Sequence, residues 1–188
     1  MMIIEATGQV LVNLEAREWC KLPYPGHPKG CPNYGKKAIC PPAVATIDRV
    51  FDLERPCWFV VEKFDLGAHA KRMKEKHPKW SDRQCRCVLY WQAGVKSRLK
   101  EKTKLILYNK LGTIATDCPE AMGVNVTTTL RRLGLPIKNK PDGTVYKVAL
   151  VGYPAALLDG KSGEVPKPVR DGKLTQEQFD KLLAGENE

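Results

Sequence analysis

The 188-residue sequence lacks most of the motifs that would point directly to a known chemistry. It contains no Gly-x-Gly-x-x-Gly, no Walker loop and no Gly-x-Ser-x-Gly, so neither a nucleotide-cofactor enzyme nor a serine hydrolase is predicted. No stretch approaches the roughly 20 apolar residues of a membrane span. The N-terminal residues lack the basic start and long apolar run of a signal peptide. We therefore expect a cytoplasmic protein that does not associate with membranes.

Cysteine pairs of the Cys-x-x-Cys type are also missing, although the chain holds seven cysteines. An odd count, in a compartment that keeps thiols reduced, argues against a disulfide framework and favours thiolate ligands and buried thiols. Structural zinc sites usually take two ligands from one short Cys-x-x-Cys turn, so the absence of this turn makes zinc the second choice of metal. The thioredoxin and bacterial ferredoxin motifs are absent as well.

Three of the cysteines, Cys20, Cys31 and Cys40, lie in a segment rich in proline and glycine. Residues 20–42 hold six prolines and three glycines, a composition that cannot build a regular helix. Ten residues separate the first two of these cysteines, and eight separate the second two. An iron–sulfur cluster accepts wide spacings because it can collect ligands from separate turns. We predict an iron–sulfur centre, most simply of the 4Fe-4S type, with zinc as the alternative.

The fourth ligand of this predicted centre is open between several possibilities. Cys118 is the first choice, because it follows Asp117 at a predicted helix start, where free amides and the helix dipole favour a thiolate. Cys57 opens an apolar strand and is more simply a core thiol. A position left open would let one iron bind a substrate, which predicts an enzyme. A closed position predicts an electron carrier with a redox partner, or a structural role.

Four further side chains in the cysteine loop are candidates for contacts with the metal ligands or a substrate. His27 is one of only three histidines, and it could be a ligand or a proton donor, although a backbone hydrogen bond is its simpler role. Tyr34, Lys36 and Lys37 would suit an anionic or aromatic substrate. Their simpler role is to pack the loop.

The net charge of +10 is concentrated in one part of the chain. Residues 67–110 carry thirteen Lys and Arg against three Asp and Glu, whereas the remaining residues are balanced. Such a block attracts anionic partners such as RNA or a nucleotide, but it can also be a solvated helix face.

Aromatic residues accompany this charge at Trp80, Tyr90 and Trp91, so a zinc-stabilised nucleic-acid-binding module is the alternative to an iron–sulfur protein. The two ideas combine in a cluster enzyme that acts on RNA or a nucleotide. Because the aromatics coincide with the apolar side of a predicted helix, the hydrophobic core is the simpler place for their rings.

Hydrophobic periodicity predicts an α+β or α/β fold with a small sheet packed by helices. Strands are predicted at 8–14, 57–64 and 145–152, and helices at 43–53, 68–76, 81–110 and 117–133. Residues 1–158 are predicted to form a single metal-binding domain. Residues 159–188, which are rich in glycine, proline and charge at their start, are predicted to form a linker and a short C-terminal helix.

Two stretches carry a resemblance to a known family. The first is Cys31-Pro-Asn-Tyr-Gly-Lys-Lys-Ala-Ile-Cys40-Pro-Pro, and the second is residues 119–137, which begin Pro-Glu-Ala-Met-Gly-Val-Asn. They resemble the signature Cys-Pro-x-Tyr-Gly-Lys-Lys/Arg…Cys-Pro-Pro and the later segment of cysteine-rich, predicted metal-binding proteins of unknown function from anaerobic bacteria and archaea. That family also has closely spaced cysteines before its second segment, where this chain has only Cys118. The resemblance implies a cysteine-bound metal centre, iron–sulfur in type, in a cytoplasmic protein.

Overall fold

The computed structural model of the protein describes residues 2–23, 28–139 and 141–155. His27 and the predicted linker and helix at 159–188 lie outside the described residues. In the part of the chain that is described, no helix is both long enough and apolar enough to cross a bilayer.

The described chain forms one antiparallel sheet with the strand order β1-β2-β4-β3. The strands are β1 (Met2–Glu5), β2 (Trp58–Asp65), β3 (Ile114–Thr116) and β4 (Thr144–Gly152). The longest pairing joins β2 to β4, with Trp58 opposite Val151 and Asp65 opposite Thr144. These two central strands are rich in valine, which favours the extended backbone of a sheet.

Helices cover both faces of this sheet. Within the described ranges they are α1 (Ile47–Val50), α2 (Leu66–Lys76), α3 (Asp82–Cys85), α4 (Gln92–Asn109), α5 (Val126–Arg132) and the 3-10 helices η1 (Leu14–Lys21), η2 (Val88–Tyr90) and η3 (Pro119–Met122). The prediction of an α+β fold is confirmed. Because the described strands pair only in antiparallel fashion, the α/β alternative does not apply.

Successive residues of the central strands point into two different hydrophobic clusters. Phe59 and Val61 of β2 belong to the larger cluster, which includes Leu130 of α5. Val60, between them, belongs to the smaller cluster with Leu99 of α4. Burial of each such side chain stabilises the fold by about 1.5–3 kcal/mol, so the alternation fixes which face of the sheet each helix covers.

The long helix predicted over residues 81–110 is wrong in its extent, since α3, η2 and α4 share this segment. Cys85 is buried, and Trp91 stacks on Phe64 with ring centroids 4.9 Å apart. Six residues of continuous helix would turn these two side chains about 120° away from each other. The break between α3 and α4 lets both side chains pack inward.

The strand predicted at residues 8–14 is also wrong. The edge strand that pairs with β2 is β1, Met2–Glu5, and the later residues keep only an isolated bridge between Val12 and Val124 before η1 begins. Asn13 caps η1 by accepting a hydrogen bond from the amide of Glu15 at 2.9 Å.

The helix predicted at 43–53 is also shorter than expected. Only α1 is helical, because Phe51 leaves the helix and forms a bridge to Pro154.

A buried carboxylate joins β2 to α4. Glu62 is only 3% exposed, and it accepts hydrogen bonds from Arg98 Nε at 2.6 Å and Lys102 Nζ at 2.5 Å. Burial acts to raise the pKa of Glu62, but the bonds from Lys102 and Arg98 outweigh it and the pKa is lowered. The two cations are four residues apart on one side of α4, so together they fix the position of the helix along β2.

We expect Lys102→Met to lower the free energy of unfolding by about 1–3 kcal/mol at neutral pH, because a buried carboxylate loses a charged donor. Since the folded-state pKa of Glu62 is lowered, its contribution is present above the unfolded pKa of about 4.3 and disappears as the pH falls through the folded value. The difference from wild type should therefore shrink in urea unfolding at about pH 3. The exposed Lys100→Met is the control, and equal losses in both variants would contradict this role of Glu62.

Candidate metal centre

The cysteine loop is closed by a close backbone contact between its first two cysteines. The amide of Cys31 donates to the carbonyl oxygen of Cys20 at 2.7 Å. Gly30 has a φ of +81°, and a Cβ on it would lie 2.5 Å from that oxygen and 2.7 Å from the carbonyl carbon of Lys21. Glycine alone combines this left-handed backbone with such an approach. Gly30 therefore brings the backbones of Cys20 and Cys31 side by side.

A second set of hydrogen bonds folds the chain between Cys31 and Cys40 into consecutive turns. The amide of Gly35 donates to the carbonyl oxygen of Pro41 at 2.8 Å, and the amide of Cys40 donates to that of Lys37 at 2.9 Å. These bonds bring Cys40 and Pro41 back beside the residues at 35–37. The third cysteine is thus held by backbone contacts within the loop.

Arg17 ties η1, which carries Cys20, to the chain that follows Cys40. Its Nη2 donates to the carbonyl oxygens of Pro42 at 3.1 Å and Val44 at 2.8 Å. With three residues per turn of a 3-10 helix, Arg17 and Cys20 lie on the same side of η1. Arg17 Nη1 is buried and finds no acceptor among the described residues. A buried cationic donor at this position suits an anionic group, which is the charge type of a thiolate-bound metal.

Cys31 and Cys40 both lie within electrostatic reach of Cys20. Burial raises the pKa of Cys20, and negative charge on Cys31 and Cys40 raises it further, with a smaller contribution from Glu120. Repulsion between thiolates is what a bound cation relieves. Within residues 2–23, 28–139 and 141–155, no three Cys, His, Asp or Glu side chains come together closely enough to hold a metal ion. Cys31 and Cys40 thus influence Cys20, but the described side chains do not form a closed site for a single ion.

Cys118 lies on a different element from the one predicted. It is the N-cap of η3, which ends at Gly123 with a φ of +96°, and α5 begins separately behind its own N-cap, Asn125. The continuous helix predicted at 117–133 is therefore wrong, because the left-handed glycine interrupts it.

The turn at Gly123 also packs η3 against η1. A Cβ at Gly123 would lie 2.9 Å from Cδ2 of Leu14, and the Gly123 carbonyl oxygen accepts a hydrogen bond from Asn13 at 2.7 Å. The short helix that follows Cys118 is consequently a direct neighbour of the short helix that carries Cys20. Cys118 as fourth ligand stays a prediction, and this packing is the contact that supports it.

The surroundings of Cys118 favour its neutral thiol. Burial raises its pKa to about 12, with Asp117 adding to the increase and Lys147 opposing it. This is the opposite of the expected thiolate. The helix that follows has only four residues, so its dipole is small, while the carboxylates of Asp117 and Glu120 lie close by. A metal that binds Cys118 has to displace this proton.

Glu120 is a neighbour of the site that sequence reasoning did not single out. Its charge acts on both Cys20 and Cys118. The side chain reaches the surface, but surrounding residues desolvate the carboxyl group and raise its pKa, while a backbone hydrogen bond and Lys147 act against the increase. In the sequence, Glu120 looks like an ordinary acidic residue in the first turn of a helix. Only the packing of η3 against η1 shows that it lies near Cys20.

An open depression of about 460 Å³ borders the second cysteine. It is lined by Pro28, Lys29, Gly30, Cys31, Pro32, Tyr34 and Lys36. Of the predicted substrate contacts, Tyr34 and Lys36 lie on this surface, while the carbonyl group of Lys37 accepts the Cys40 amide. Lys21 Nζ lies 5.1 Å from the centroid of the Tyr34 ring. The combination of a thiol, a phenol ring and ammonium groups suits a small anion.

The other cysteines belong to different parts of the fold. Cys57 is fully buried in the larger hydrophobic cluster, and burial raises its pKa to about 11, so it behaves as a core thiol. Cys85 is buried in α3, while Cys87 is half-buried at the start of η2. Of these two cysteines, only Cys85 therefore faces the core.

Comparisons of the chain with protein-family models, with curated proteins and with solved structures found no match. The family resemblance of the two stretches stays a resemblance of sequence. The function is therefore inferred from the cysteine loop and the residues that surround it.

We expect Gly30→Ala to open the loop, because the new Cβ would collide with the Cys20 carbonyl group. The amide of Cys31 should then lose its protection against hydrogen exchange, measured by NMR or mass spectrometry. Gly35→Ala is the matched control, since Gly35 also has a positive φ of +71° but its Cβ would meet nothing within 4 Å. Both variants carry the left-handed strain of about 1–2 kcal/mol. Retained protection of Cys31 in Gly30→Ala would refute the steric argument.

Proposed function

We propose that this chain is an iron–sulfur protein whose cluster is bound by Cys20, Cys31 and Cys40. The observation that carries the proposal is the contact at Gly30, which sets the backbones of two of these cysteines side by side in a loop with little regular structure. Packing alone does not require such a contact, because all three thiols are only half-buried. A cluster bound by both Cys20 and Cys31 would explain why the two backbones are held together.

The spacing of the thiols favours a cluster over a single zinc ion. Zinc draws its sulfur donors to about 2.3 Å and usually takes them from short paired turns. Here Cys31 and Cys40 both act electrostatically on Cys20, while no three possible ligands among the described residues come close enough to hold one ion. A cluster is larger and accepts ligands that are further apart, so it needs less rearrangement of the loop.

The charges of the residues around the loop suit a bound iron–sulfur cluster. Arg17 Nη1 is a buried donor without an acceptor among the described residues, and it can donate to a cluster sulfur or to a ligand thiolate. A bound cluster would supply electron transfer or Lewis-acid chemistry. The depression beside Cys31, with Tyr34 and Lys36, offers a place for an anionic substrate. This supports a redox or cluster-assisted reaction on an anion, in the reducing conditions of the cytoplasm.

In this proposal, the fourth ligand of the cluster comes from η3 or its N-cap. Cys118 is the preferred donor, and the carboxylate of Glu120 is the alternative because its charge already acts on Cys20. The two donors predict different chemistry. A thiolate closes the cluster for electron transfer, whereas a carboxylate is a weaker and more readily displaced ligand for a substrate-binding iron.

Reconstitution with iron and sulfide under anaerobic conditions tests the cluster. We expect the wild-type chain to acquire iron, sulfide and a visible absorption band, and Cys20→Ala, Cys31→Ala and Cys40→Ala each to lose most of it. Cys87→Ala should load like wild type, because Cys87 is the N-cap of η2 within residues 67–110, which we call the basic segment, and does not lie in the cysteine loop. A folded wild-type protein that stays colourless and free of iron would refute the proposal. Binding of one zinc ion by that protein would favour the zinc alternative.

The fourth ligand is tested by comparing Cys118→Ala with Glu120→Gln in reconstituted protein. If Cys118 is the ligand, its variant should retain iron but show a changed electron paramagnetic resonance spectrum, whereas Glu120→Gln should leave the spectrum unchanged. The reverse pattern would assign the position to Glu120. Unchanged spectra in both variants would rule out a fourth ligand from η3.

A further inference from the structure

Three aromatic rings stack on one another in the basic segment. The ring centroids of His77 and Trp80 lie 4.1 Å apart with planes inclined by 13°, and those of Trp80 and Tyr90 lie 5.1 Å apart with planes inclined by 29°. The rings come from the end of α2, the turn before α3 and the end of η2. We call His77, Trp80 and Tyr90 the ring ladder.

The ring ladder lies at the surface and outside both hydrophobic clusters. Tyr90 is 53% exposed, and the adjacent Leu89 is 81% exposed. By contrast, Trp91 turns inward, where its ring stacks on Phe64. The expectation that these aromatics share the apolar side of a helix is therefore wrong for Tyr90, because Tyr90 lies at the end of η2 and not in α4. His77 and Trp80 are half-buried, whereas the Tyr90 ring, at one end of the stack, leaves apolar surface in water that a stacking ligand would cover.

Positive charge surrounds the ring ladder. Residues 71–86 hold seven Lys and Arg against two Asp and Glu. Lys74 Nζ donates to the carbonyl oxygen of Trp80 at 2.6 Å, which keeps an ammonium group beside the rings. Lys76 and Lys79 are exposed on either side of His77 in the chain, and Asp82 is already paired with Arg86 at 2.9 Å. The charge presented to a ligand is therefore cationic.

Flat rings and cations side by side are the contacts by which proteins bind single-stranded nucleic acids, since bases stack on the rings and phosphates meet the cations. We propose that the ring ladder and Lys74, Lys76 and Lys79 form a binding site for single-stranded nucleic acid. A duplex offers the same phosphates but keeps its base faces paired and stacked. An acidic peptide would satisfy the lysines but leave the rings uncovered. The proposal does not depend on the metal centre.

Fluorescence anisotropy with the 188-residue chain and a labelled oligouridine of about 12 nucleotides, within the usual site sizes, tests binding. We expect affinity to fall steeply with rising salt as counterions are released. Unlabelled oligothymidine should compete, because stacking needs no 2′-hydroxyl group, and duplex RNA of equal length should compete more weakly. No binding at low salt would overturn the proposal and point instead to a protein partner for this surface. Equal competition by the duplex would also overturn it.

Substitutions of single tyrosines test the contribution of the rings to binding separately from that of the charge. Tyr90→Ala should weaken oligouridine binding on the order of tenfold, the size of one lost stacking contact, and Tyr90→Phe should bind like wild type. Tyr108→Ala removes another exposed tyrosine of the basic segment, on α4, and should have little effect. An equal loss in Tyr108→Ala, or no loss in Tyr90→Ala, would overturn the role of the ladder.

A charge reversal gives a second test if Tyr90→Ala does not fold. Lys79→Glu should weaken binding and reduce the slope of log affinity against log salt by about 1 or more. Arg49→Glu makes the same charge change at an exposed residue of α1 and should leave the slope near that of wild type. Equal slopes in the two variants would mean that binding follows net charge alone, which would overturn the site.

Discussion

The contact between Gly30 and the Cys20–Lys21 backbone is the constraint on which the cysteine loop depends. In its described residues the loop has few buried apolar side chains and little regular secondary structure, so backbone hydrogen bonds shape this part of it. Among the backbone bonds between its described residues, the one from Cys31 to Cys20 joins the residues furthest apart in sequence. This bond forms only because residue 30 has no side chain.

The loop is anchored to the sheet through two short helices. Arg17 connects η1 to the chain beyond Cys40, and Gly123 lets η3 pack against η1. Met122, the last residue of η3, belongs to the larger hydrophobic cluster, which includes residues of the central strands. The position of the thiols therefore depends on the core indirectly. Arg17 and Gly123 connect the cysteine loop to the helices that pack on it.

Local patterns were enough to predict β2, β4 and α2, because valine-rich runs and a helical repeat determine these elements almost independently of their neighbours. The segment at 81–110 was mispredicted because two side chains, Cys85 and Trp91, need to face inward at an angle that one helix cannot provide. The same limit applies to the candidate site. Its cysteines are visible as a pattern, but the places of Arg17 and Glu120 follow from the packing of η1, η3 and the loop, which no single window of sequence contains.

The two proposed sites differ in the charge that they offer to a long polyanion. The cationic excess lies at 67–110, whereas the cysteine loop, residues 20–42, combines its three cysteines with four lysines, Lys21, Lys29, Lys36 and Lys37. Thiolate ligands of a metal centre would offset the charge of these lysines, so the loop suits a small anion, and the attraction for a polyanion has to come from other cations. The ring ladder offers that attraction together with stacking contacts. If both proposals hold, binding energy for a nucleic acid would come from the basic segment, and the cysteine loop would be left free to perform chemistry.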